Sequence, residues 1–372
     1  MARMLGPPAA ALVLHAGLLA AYVAAFHCDV SALVCVNAHW AGRPPFEAVA
    51  VRGDGPGFDG QFYYVLARNP WRRLDAFLGE HDRRPYRHQR ILFPVLAWTV
   101  SAGGNPRALL WVLPALNLLA IAGLAYLGAC TARHFGMSEW WGLVLPFAVN
   151  AAMPMMRDLT DPFATFAVAG LLVGWLLEWR WWTLVLWAAA AVFAREQNAA
   201  VVGFVLAGAL WRRQFRLAAG LGSVLALWGG WLGLLYLLYG QSPFLEGGIT
   251  ETPLSGLIRC WTHPTIFRSS SRILHVAYML AFTVQIALCF YMAISKGDRV
   301  VASVGVLGAV FALLAGWAFT YNDPWSYTRV FVWIPLAVWL NSVRKQLRWP
   351  MLTAIPAALF PICFIHWQLH AR

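Results

Sequence analysis

Apolar runs long enough to cross a lipid bilayer recur along most of this 372-residue chain. The hydrocarbon core of a bilayer is ~30 Å thick and takes about 20 mostly apolar residues in a helix. Between positions 9 and 369 no polar stretch is large enough for a water-soluble domain. Charged residues make up only 12% of the chain, whereas soluble domains carry roughly 25%. The sequence therefore excludes a soluble fold and predicts one membrane domain over residues 1–372.

The apolar runs predict an all-α polytopic membrane protein with about 11 transmembrane helices. The candidate spans are 9–26, 108–130, 140–153, 163–177, 181–194, 199–211, 217–239, 273–294, 300–319, 330–340 and 351–365. A further run, 91–100, has about half the length of a crossing and predicts an interfacial or re-entrant helix. The first run is predicted to stay in the protein as a helix, because no convincing signal cleavage site follows it.

Lysine and arginine residues indicate which loops face the cytoplasm. If the N-terminus is inside and all the candidate spans cross, every cytoplasmic loop carries positive charge. The residues concerned are Arg133, Arg180, Arg212, Arg213, Arg216, Lys296, Arg299, Arg344, Lys345 and Arg348. The same topology sends outward a long first loop, 28–105, with juxtamembrane helices, and a second loop, 240–272. The short turns 150–162, 195–199 and 320–329 join them on the outer face.

The net charge of +12 does not indicate a nucleic-acid partner, because most arginines lie in short loops where helix orientation explains them. The six cysteines form no Cys-x-x-Cys pair and no Cys/His cluster with the spacing of a zinc site. Cys28 and Cys35 share the first outer loop, and both a disulfide and two free thiols fit the sequence. Membrane lipids are the partners that composition alone predicts.

A glycine-rich acidic segment, 52–64, lies in the first outer loop. Its glycines permit tight turns that bring Asp54 and Asp59 to the start of a helix beginning near residue 62. Two interpretations of Asp59 stay open, an N-cap of that helix or a reactive carboxylate. In the second interpretation Asp54, Gln61 and Tyr63 are candidate substrate-binding residues beside it.

A basic aromatic segment, 86–94, follows in the same loop at the mouth of the short apolar helix. Guanidinium groups present forked donors that match phosphate oxygens. Arg87 and Arg90 are therefore candidate ligands of a lipid phosphate, with Tyr86 as a neighbouring substrate contact. The alternative is that both arginines only extend their charged ends to the membrane interface.

Two short outer turns add further charges. Arg157 and Asp158 are predicted either to form a structural ion pair or to contact an acceptor. Asp161 precedes a proline in the first turn of the next span and is predicted to cap that helix. Arg195 and Glu196 separate two apolar runs of ~14 residues, so they form either a plain turn or part of a substrate site.

The last outer turn, 320–329, combines aromatic rings with a terminal arginine. Tyr321 and Tyr327 are either interfacial anchors or platforms for a sugar ring, and Arg329 is a candidate ligand of a donor phosphate.

The sequence contains no Ser/His/Asp order, nucleotide phosphate loop, zinc-protease motif or dinucleotide fingerprint. Hydrolase, nucleotide-driven pump and dehydrogenase functions therefore have no motif support.

The segments around Asp59 and Tyr86 resemble the GT-C superfamily of multispanning glycosyltransferases, which use polyprenyl-phosphate sugars. Residues 58–63 with Ala67 are similar to the Trp-Asp-x-x-x-Tyr-x-x-x-Ala pattern of mannosyltransferases that act on glycosylphosphatidylinositol precursors. They also resemble a bacterial group implicated in cell-surface glycopolymer formation, in which Asp-Gly-Gln-Phe-Tyr-Tyr precedes Tyr-Arg-x-x-Arg-x-x-x-Pro, as in 86–94 here. Gly60 stands where the superfamily often has a second acidic residue, which favours a metal-free site over one with a divalent metal.

The resemblance implies a GT-C-like fold and an enzyme of a bacterial inner membrane, with its active site on the periplasmic or extracellular side. It would transfer a sugar from a polyprenyl-phosphate donor to a glycan, lipid or protein acceptor, with inversion. Asp59 would be the general base, and Arg87, Arg90 or Arg329 would offset charge on the departing phosphate. A transporter or flippase for lipid-linked glycans, or an assembly protein, is the alternative. Transporters usually show internal repeats and mid-membrane ionisable residues, and neither is evident in this sequence.

Overall fold

The computed structural model describes residues 2–50, 57–74, 84–244, 250–262, 272–295, 297–317, 327 and 329–370. Within these ranges the chain is helical, which confirms the all-α prediction. The α-helices are α1 (Gly6–Ala24), α2 (Gly60–Arg68), α3 (Arg84–His88), α4 (Leu92–Val100), α5 (Pro106–His134), α6 (Val144–Ala148), α7 (Ala152–Met155), α8 (Asp161–Leu176), α9 (Trp181–Ala194), α10 (Asn198–Trp211), α11 (Phe215–Tyr239), α12 (Ser255–Thr262), α13 (Arg272–Ile294), α14 (Arg299–Leu314), α15 (Trp333–Arg344) and α16 (Ile355–His370).

Among the described residues, five helical segments are long and apolar enough to cross a membrane. They are α1, α5, α11, α13 and the segment Trp349–His366, which joins a 3-10 helix to most of α16. Helices α8, α9, α10 and α14 are equally apolar but shorter, with 14 to 16 residues each. Several helices of this chain can therefore span a membrane.

The predicted span 140–153 is not one continuous helix. The chain forms a 3-10 helix, Glu139–Leu143, then α6, and then α7 after Asn150, whose φ is +50°. Pro146 and Pro154 have no N–H to donate to the preceding turn, and their rings crowd the carbonyls of residues 142 and 150, which interrupts the helical hydrogen bonding at both places. By contrast, the run 91–100 forms the nine-residue helix α4, as its length predicts.

The broken segment 139–155 nevertheless runs back along α5. Gly142 lies against the last part of α5, where a Cβ atom would come within 2.3 Å of the Ala129 nitrogen. Further along the chain, the Asn117 side chain in α5 donates a hydrogen bond to the Leu159 carbonyl at 3.0 Å. The segment therefore carries the chain from the C-terminal end of α5 towards its N-terminal half.

Short helices between residues 60 and 100 pack on the N-terminal part of α5. Helix α2 contacts both α4 and α5, and α3 contacts the C-terminal part of α11. Buried side chains of α2, including Tyr63 and Tyr64, form one apolar cluster with Phe93 of α4 and Leu109 of α5. Helices α8 and α9 pack as a hairpin beside them. This arrangement brings the starts of α2 and α8 and the end of α9 to the same end of the bundle.

Candidate functional site

Asp59 occupies the residue before α2, but its side chain makes no capping hydrogen bond. The following residue, Gly60, packs against the 156–160 turn so closely that a Cβ atom would lie 2.2 Å from the Arg157 carbonyl oxygen. Only glycine permits this approach, which fixes the start of α2 against that turn. The carboxylate of Asp59 is turned instead towards arginine side chains, so the capping interpretation of Asp59 is not supported.

Two arginines from distant parts of the chain bind the carboxylate of Asp59. Arg87 Nη2 donates to Oδ1 at 3.1 Å, and both terminal nitrogens of Arg329 lie 3.3 Å from Oδ2. Burial acts to raise the pKa of Asp59, but the charges of Arg329, Arg87 and Arg90 outweigh it and hold the pKa well below its usual range. Asp59 is therefore ionised and fully engaged by cations.

Arg90 lies behind this group and is almost completely buried. Its Nε and Nη2 atoms donate to the two carboxylate oxygens of Glu196, each at 2.7 Å. Its Nη1 atom donates to the Tyr63 hydroxyl at 2.8 Å, and its Nη2 atom also donates to the Tyr86 hydroxyl. The guanidinium stacks on the Tyr86 ring. Arg90 therefore has a structural role, because its N–H groups donate to Glu196, Tyr63 and Tyr86.

Asp161 joins the same network, which corrects the prediction that it caps α8. Thr160 is the residue at the N-cap position of α8, and it makes no capping hydrogen bond through its side chain. The Asp161 carboxylate forms an ion pair with Arg195, and its second oxygen lies 3.9 Å from Arg329 Nη1. A carboxylate buried beside two guanidinium groups gains more from ion pairing than from the backbone N–H groups of a helix start.

These side chains form the Asp59 cluster, which we define as Asp59, Arg87, Arg90, Asp161, Arg195, Glu196 and Arg329. The side chains of Asp59, Arg87 and Arg329 are 21%, 19% and 22% exposed, whereas that of Arg90 is 3% exposed. Four arginines face three carboxylates, so the cluster carries a net charge of +1. Its accessible part is therefore a carboxylate between two arginines, supported by a buried layer of ion pairs.

Arg157 and Asp158 do not pair with each other. The Arg157 guanidinium lies over the Phe58 ring, with its central carbon 3.3 Å from the ring centre, and also faces Phe364. The Asp158 carboxyl is completely buried, and neither of its oxygens has a hydrogen-bond partner among the described residues. Burial raises the pKa of Asp158 well above its usual range. A protonated, neutral acid therefore lies next to the start of α2.

Asp158 is expected to make stability depend on pH. Because its pKa is higher in the folded than in the unfolded protein, the folded state loses stability as the pH rises above the ordinary aspartate value of ~3.9. Asp158→Asn supplies a neutral group of the same shape, so we expect it to stabilise the protein by about 1 kcal/mol or more near neutral pH. Thermal unfolding in detergent at pH 4.5 and pH 7.5 measures this effect. A stability difference that does not shrink at the lower pH would contradict it.

The remaining candidate residues lie elsewhere. Gln61 is buried and accepts a hydrogen bond from the Asn37 backbone at 3.3 Å, so it holds the chain before α2. Tyr327 is fully buried, and its hydroxyl lies 2.7 Å from His275 Nε2. Asp54 and Tyr321 are outside the described residues.

A histidine and a tyrosine that the sequence did not single out hold the arginine segment in place. His88 Nε2 lies 2.9 Å from the Pro70 carbonyl, and its Nδ1 lies 2.8 Å from the Tyr239 hydroxyl. Because a carbonyl only accepts, Nε2 carries the proton and Nδ1 accepts from Tyr239. The Leu74 backbone N–H donates to the same hydroxyl at 3.0 Å. This chain of bonds attaches α3, which carries Arg87, to the end of α11. His88 lies between Arg87 and Arg90 in the sequence, but no sequence pattern indicates that it pairs with Tyr239.

Among the described residues, no group of three His, Cys, Asp or Glu side chains is arranged to hold a metal ion. Asp59 and Asp161 both lie near the guanidinium of Arg329, whose positive charge repels a cation. Cys28 and Cys35 are free thiols.

No protein-family model, curated protein or solved structure matches this chain. The fold and site together define an all-helical protein with several helices able to span a membrane and a charged cluster that combines distant parts of the sequence. The chemistry of that cluster is the basis for the function proposed next.

Proposed function

We propose that this protein is a membrane glycosyltransferase that transfers a sugar from a polyprenyl-phosphate donor to a glycan, lipid or protein acceptor. The observation that carries the proposal is the partly exposed carboxylate of Asp59 between Arg87 and Arg329. Transfer from a lipid phosphate needs a base for the acceptor hydroxyl and positive charge for the leaving phosphate. Asp59 can supply the first, and the two arginines can supply the second.

The same arrangement explains how the base would become active. In the absence of donor, Arg87 and Arg329 engage Asp59, and the low pKa of its carboxyl makes it a weak base. The donor phosphate is a diester with one negative charge and two free oxygens, so it competes with the carboxylate for these guanidinium groups on similar terms. It gains a second negative charge as its bond to the sugar breaks, and the arginines stabilise that charge. As the arginines turn to the phosphate, the pKa of Asp59 rises towards its ordinary value. The base therefore becomes effective only when the donor is bound.

The transfer itself is a direct displacement. The acceptor oxygen forms a bond to the anomeric carbon while the bond from that carbon to the phosphate oxygen breaks. Asp59 takes the hydroxyl proton, and the polyprenyl phosphate leaves with the bonding electron pair, stabilised by Arg87 and Arg329. Attack from the side opposite the leaving group inverts the configuration at the anomeric carbon. No nucleotide is needed, because the donor already carries an activated sugar.

The proposed topology has about 11 crossings, with the N-terminus in the cytoplasm of a bacterium and the Asp59 cluster on the outer face of the inner membrane. The path of the broken segment 139–155 supports this number. Although its helix is interrupted, it leads from the C-terminal end of α5 back to the 156–160 turn beside Gly60. In the proposed topology this segment counts as one crossing of the membrane. The basic loops that follow it are then on the cytoplasmic side, as predicted from their charge.

The function is tested by the lipids that accumulate when the protein is missing. Lipid extracts from cells that lack the protein, separated by chromatography and analysed by mass spectrometry, are expected to contain an excess of one polyprenyl-phosphate sugar. Complementation with the wild-type chain should remove the excess, whereas complementation with an Asp59→Asn variant of equal abundance should not. Unchanged lipid profiles would contradict the proposal. Accumulation confined to the inner leaflet would instead identify a transporter.

A further inference from the structure

An open cavity of about 700 Å³ lies at the opposite end of α9 from Arg195. It is formed where the turn between α8 and α9 meets the turn between α10 and α11. The 14 residues of α9 rise about 21 Å, which separates this cavity from the Asp59 cluster. The cavity is therefore a second site that the proposed transfer reaction does not use.

Arginine and tryptophan dominate the lining of the cavity. The residues concerned are Trp175, Trp179, Trp181, Arg212, Arg213 and Arg216. Glu178 is the acidic residue among the lining side chains. The lining thus combines a net positive charge with flat, partly polar rings, which is a composition suited to the boundary between lipid headgroups and acyl chains.

Arg212 is oriented at one wall by two contacts, and its side chain is 40% exposed. Its guanidinium lies over the Trp175 ring at 4.2 Å and donates to Asp298 Oδ2 at 3.2 Å. The Asp298 carboxylate also accepts from the indole N–H of Trp175 and from the backbone N–H groups of Val300 and Val301. Asp298 is therefore occupied by four donor groups, and Arg212 is oriented before any ligand arrives.

Arg213 and Arg216 are exposed and differ from Arg212 in their surroundings. Among the described residues, neither has an ion pair or a side-chain hydrogen bond, and both line the cavity. Arg213 follows the end of α10 with a φ of +56°, a left-handed conformation that usually selects glycine at this helix position. An arginine here places a charged side chain at the cavity at a cost in backbone energy. These two guanidinium groups are available to an anion.

In a bilayer, the short helices on either side of the cavity would bring it close to the lipid phosphates. Helices α9 and α10 have 14 residues each and rise about 21 Å, less than the ~30 Å hydrocarbon core of a bilayer. Thinning of the bilayer beside helices of this length would draw headgroups towards their ends. Trp182, Trp211 and Phe215 are exposed around the same turns and can face the acyl chains below the headgroups.

We propose that this cavity binds the phosphate groups of an anionic phospholipid, and that a headgroup with two phosphates fits it best. Arg213 and Arg216 would bind the phosphates with forked donors, while the fixed Arg212 and the tryptophans would position the headgroup. Basic cavities between membrane helices on the cytoplasmic side recognise such headgroups by the same chemistry. The bound lipid would keep the ends of the short helices α9 and α10 at the level of the lipid headgroups.

Native mass spectrometry of the full-length protein in detergent tests the proposal, with cardiolipin, phosphatidylglycerol and phosphatidylcholine as probes. We expect binding in that order of strength. Arg213→Gly and Arg216→Gln should each weaken cardiolipin binding about fivefold, and the double variant about thirtyfold. Arg133→Gln, an exposed arginine outside the cavity, is the matched control and should leave binding unchanged.

The Arg213→Gly variant also separates ligand binding from folding. Because glycine is preferred at a left-handed helix end, this variant should unfold at the same or a higher temperature than the wild type in lipid-free detergent. Equal cardiolipin binding by the double variant and the wild type would overturn the proposal. So would equal weakening by Arg133→Gln, or displacement of cardiolipin by millimolar inorganic phosphate, which would identify a site for free phosphate.

Discussion

Asp59→Asn is expected to reduce the rate of sugar transfer by roughly 10³-fold, the usual contribution of a positioned general base. The amide has nearly the same shape but cannot take the acceptor proton. Donor binding should not weaken, because the Asp59 carboxylate would no longer compete with the donor phosphate for Arg87 and Arg329. Single-turnover assays with the purified protein and the proposed lipid-linked donor would separate the loss in kcat from any change in the donor Kd.

The matched control for this variant is Asp29→Asn. Asp29 lies in the same predicted outer loop and accepts a hydrogen bond from the Ser31 backbone N–H at 2.9 Å. Asparagine performs the same capping role, so this variant should keep full activity. Full activity of Asp59→Asn would remove Asp59 from the reaction. A variant that loses donor affinity as well as rate would instead assign Asp59 to the organisation of the two arginines.

Arg90→Met is expected to destabilise the folded protein by about 3 kcal/mol, the scale found when one partner of a buried ion pair is removed. Glu196 would lose both of its hydrogen bonds from Arg90, and the hydroxyls of Tyr63 and Tyr86 would lose their donor. A double variant, Arg90→Met with Glu196→Leu, should recover part of this loss because it leaves no uncompensated charge. Thermal or denaturant unfolding in one detergent measures the series.

The pair Arg68 and Glu47 provides the comparison for Arg90. It has a similar distance, 2.6 Å, but its side chains are 23% and 42% exposed. Exposed ion pairs contribute about 0–1 kcal/mol, so Arg68→Met should have a much smaller effect than Arg90→Met. Equal losses for the two variants would show that the protein around Arg90 is hydrated, and that the buried layer of the Asp59 cluster does not act as a rigid support.

Much of the helical framework could be predicted because apolar composition determines it directly. The run 181–194 coincides with α9, and 199–211 and 217–239 differ from α10 and α11 by only one or two residues at their starts. The exception is 140–153, where apolar character is uniform but two prolines break the hydrogen bonding. Hydrophobicity predicts which segments lie in the apolar interior or in lipid. Whether such a segment forms one continuous helix also depends on an unbroken series of backbone N–H hydrogen bonds.

The sequence singled out most residues of the Asp59 cluster, but it did not indicate which of them pair with each other. Asp59 and Arg329 were both expected on one face, and they lie in contact although 270 residues separate them. Asp161 precedes a proline at a helix start, which is a typical position for a cap, so its ion pair with Arg195 could not be deduced locally. Ion pairing between segments depends on tertiary packing, and local sequence patterns carry no information about it.

The attachment of Asp59 to an arginine so much later in the chain has a consequence for biosynthesis. Helices enter the membrane in order as the ribosome elongates the chain, so residue 59 is in place long before residue 329 has been translated. Until α13, α14 and α15 are inserted, Asp59 has only the arginines of its own loop as partners. A truncated or half-inserted product would therefore hold the carboxylate without the Arg329 guanidinium, and such a product should be unable to carry out the proposed sugar transfer.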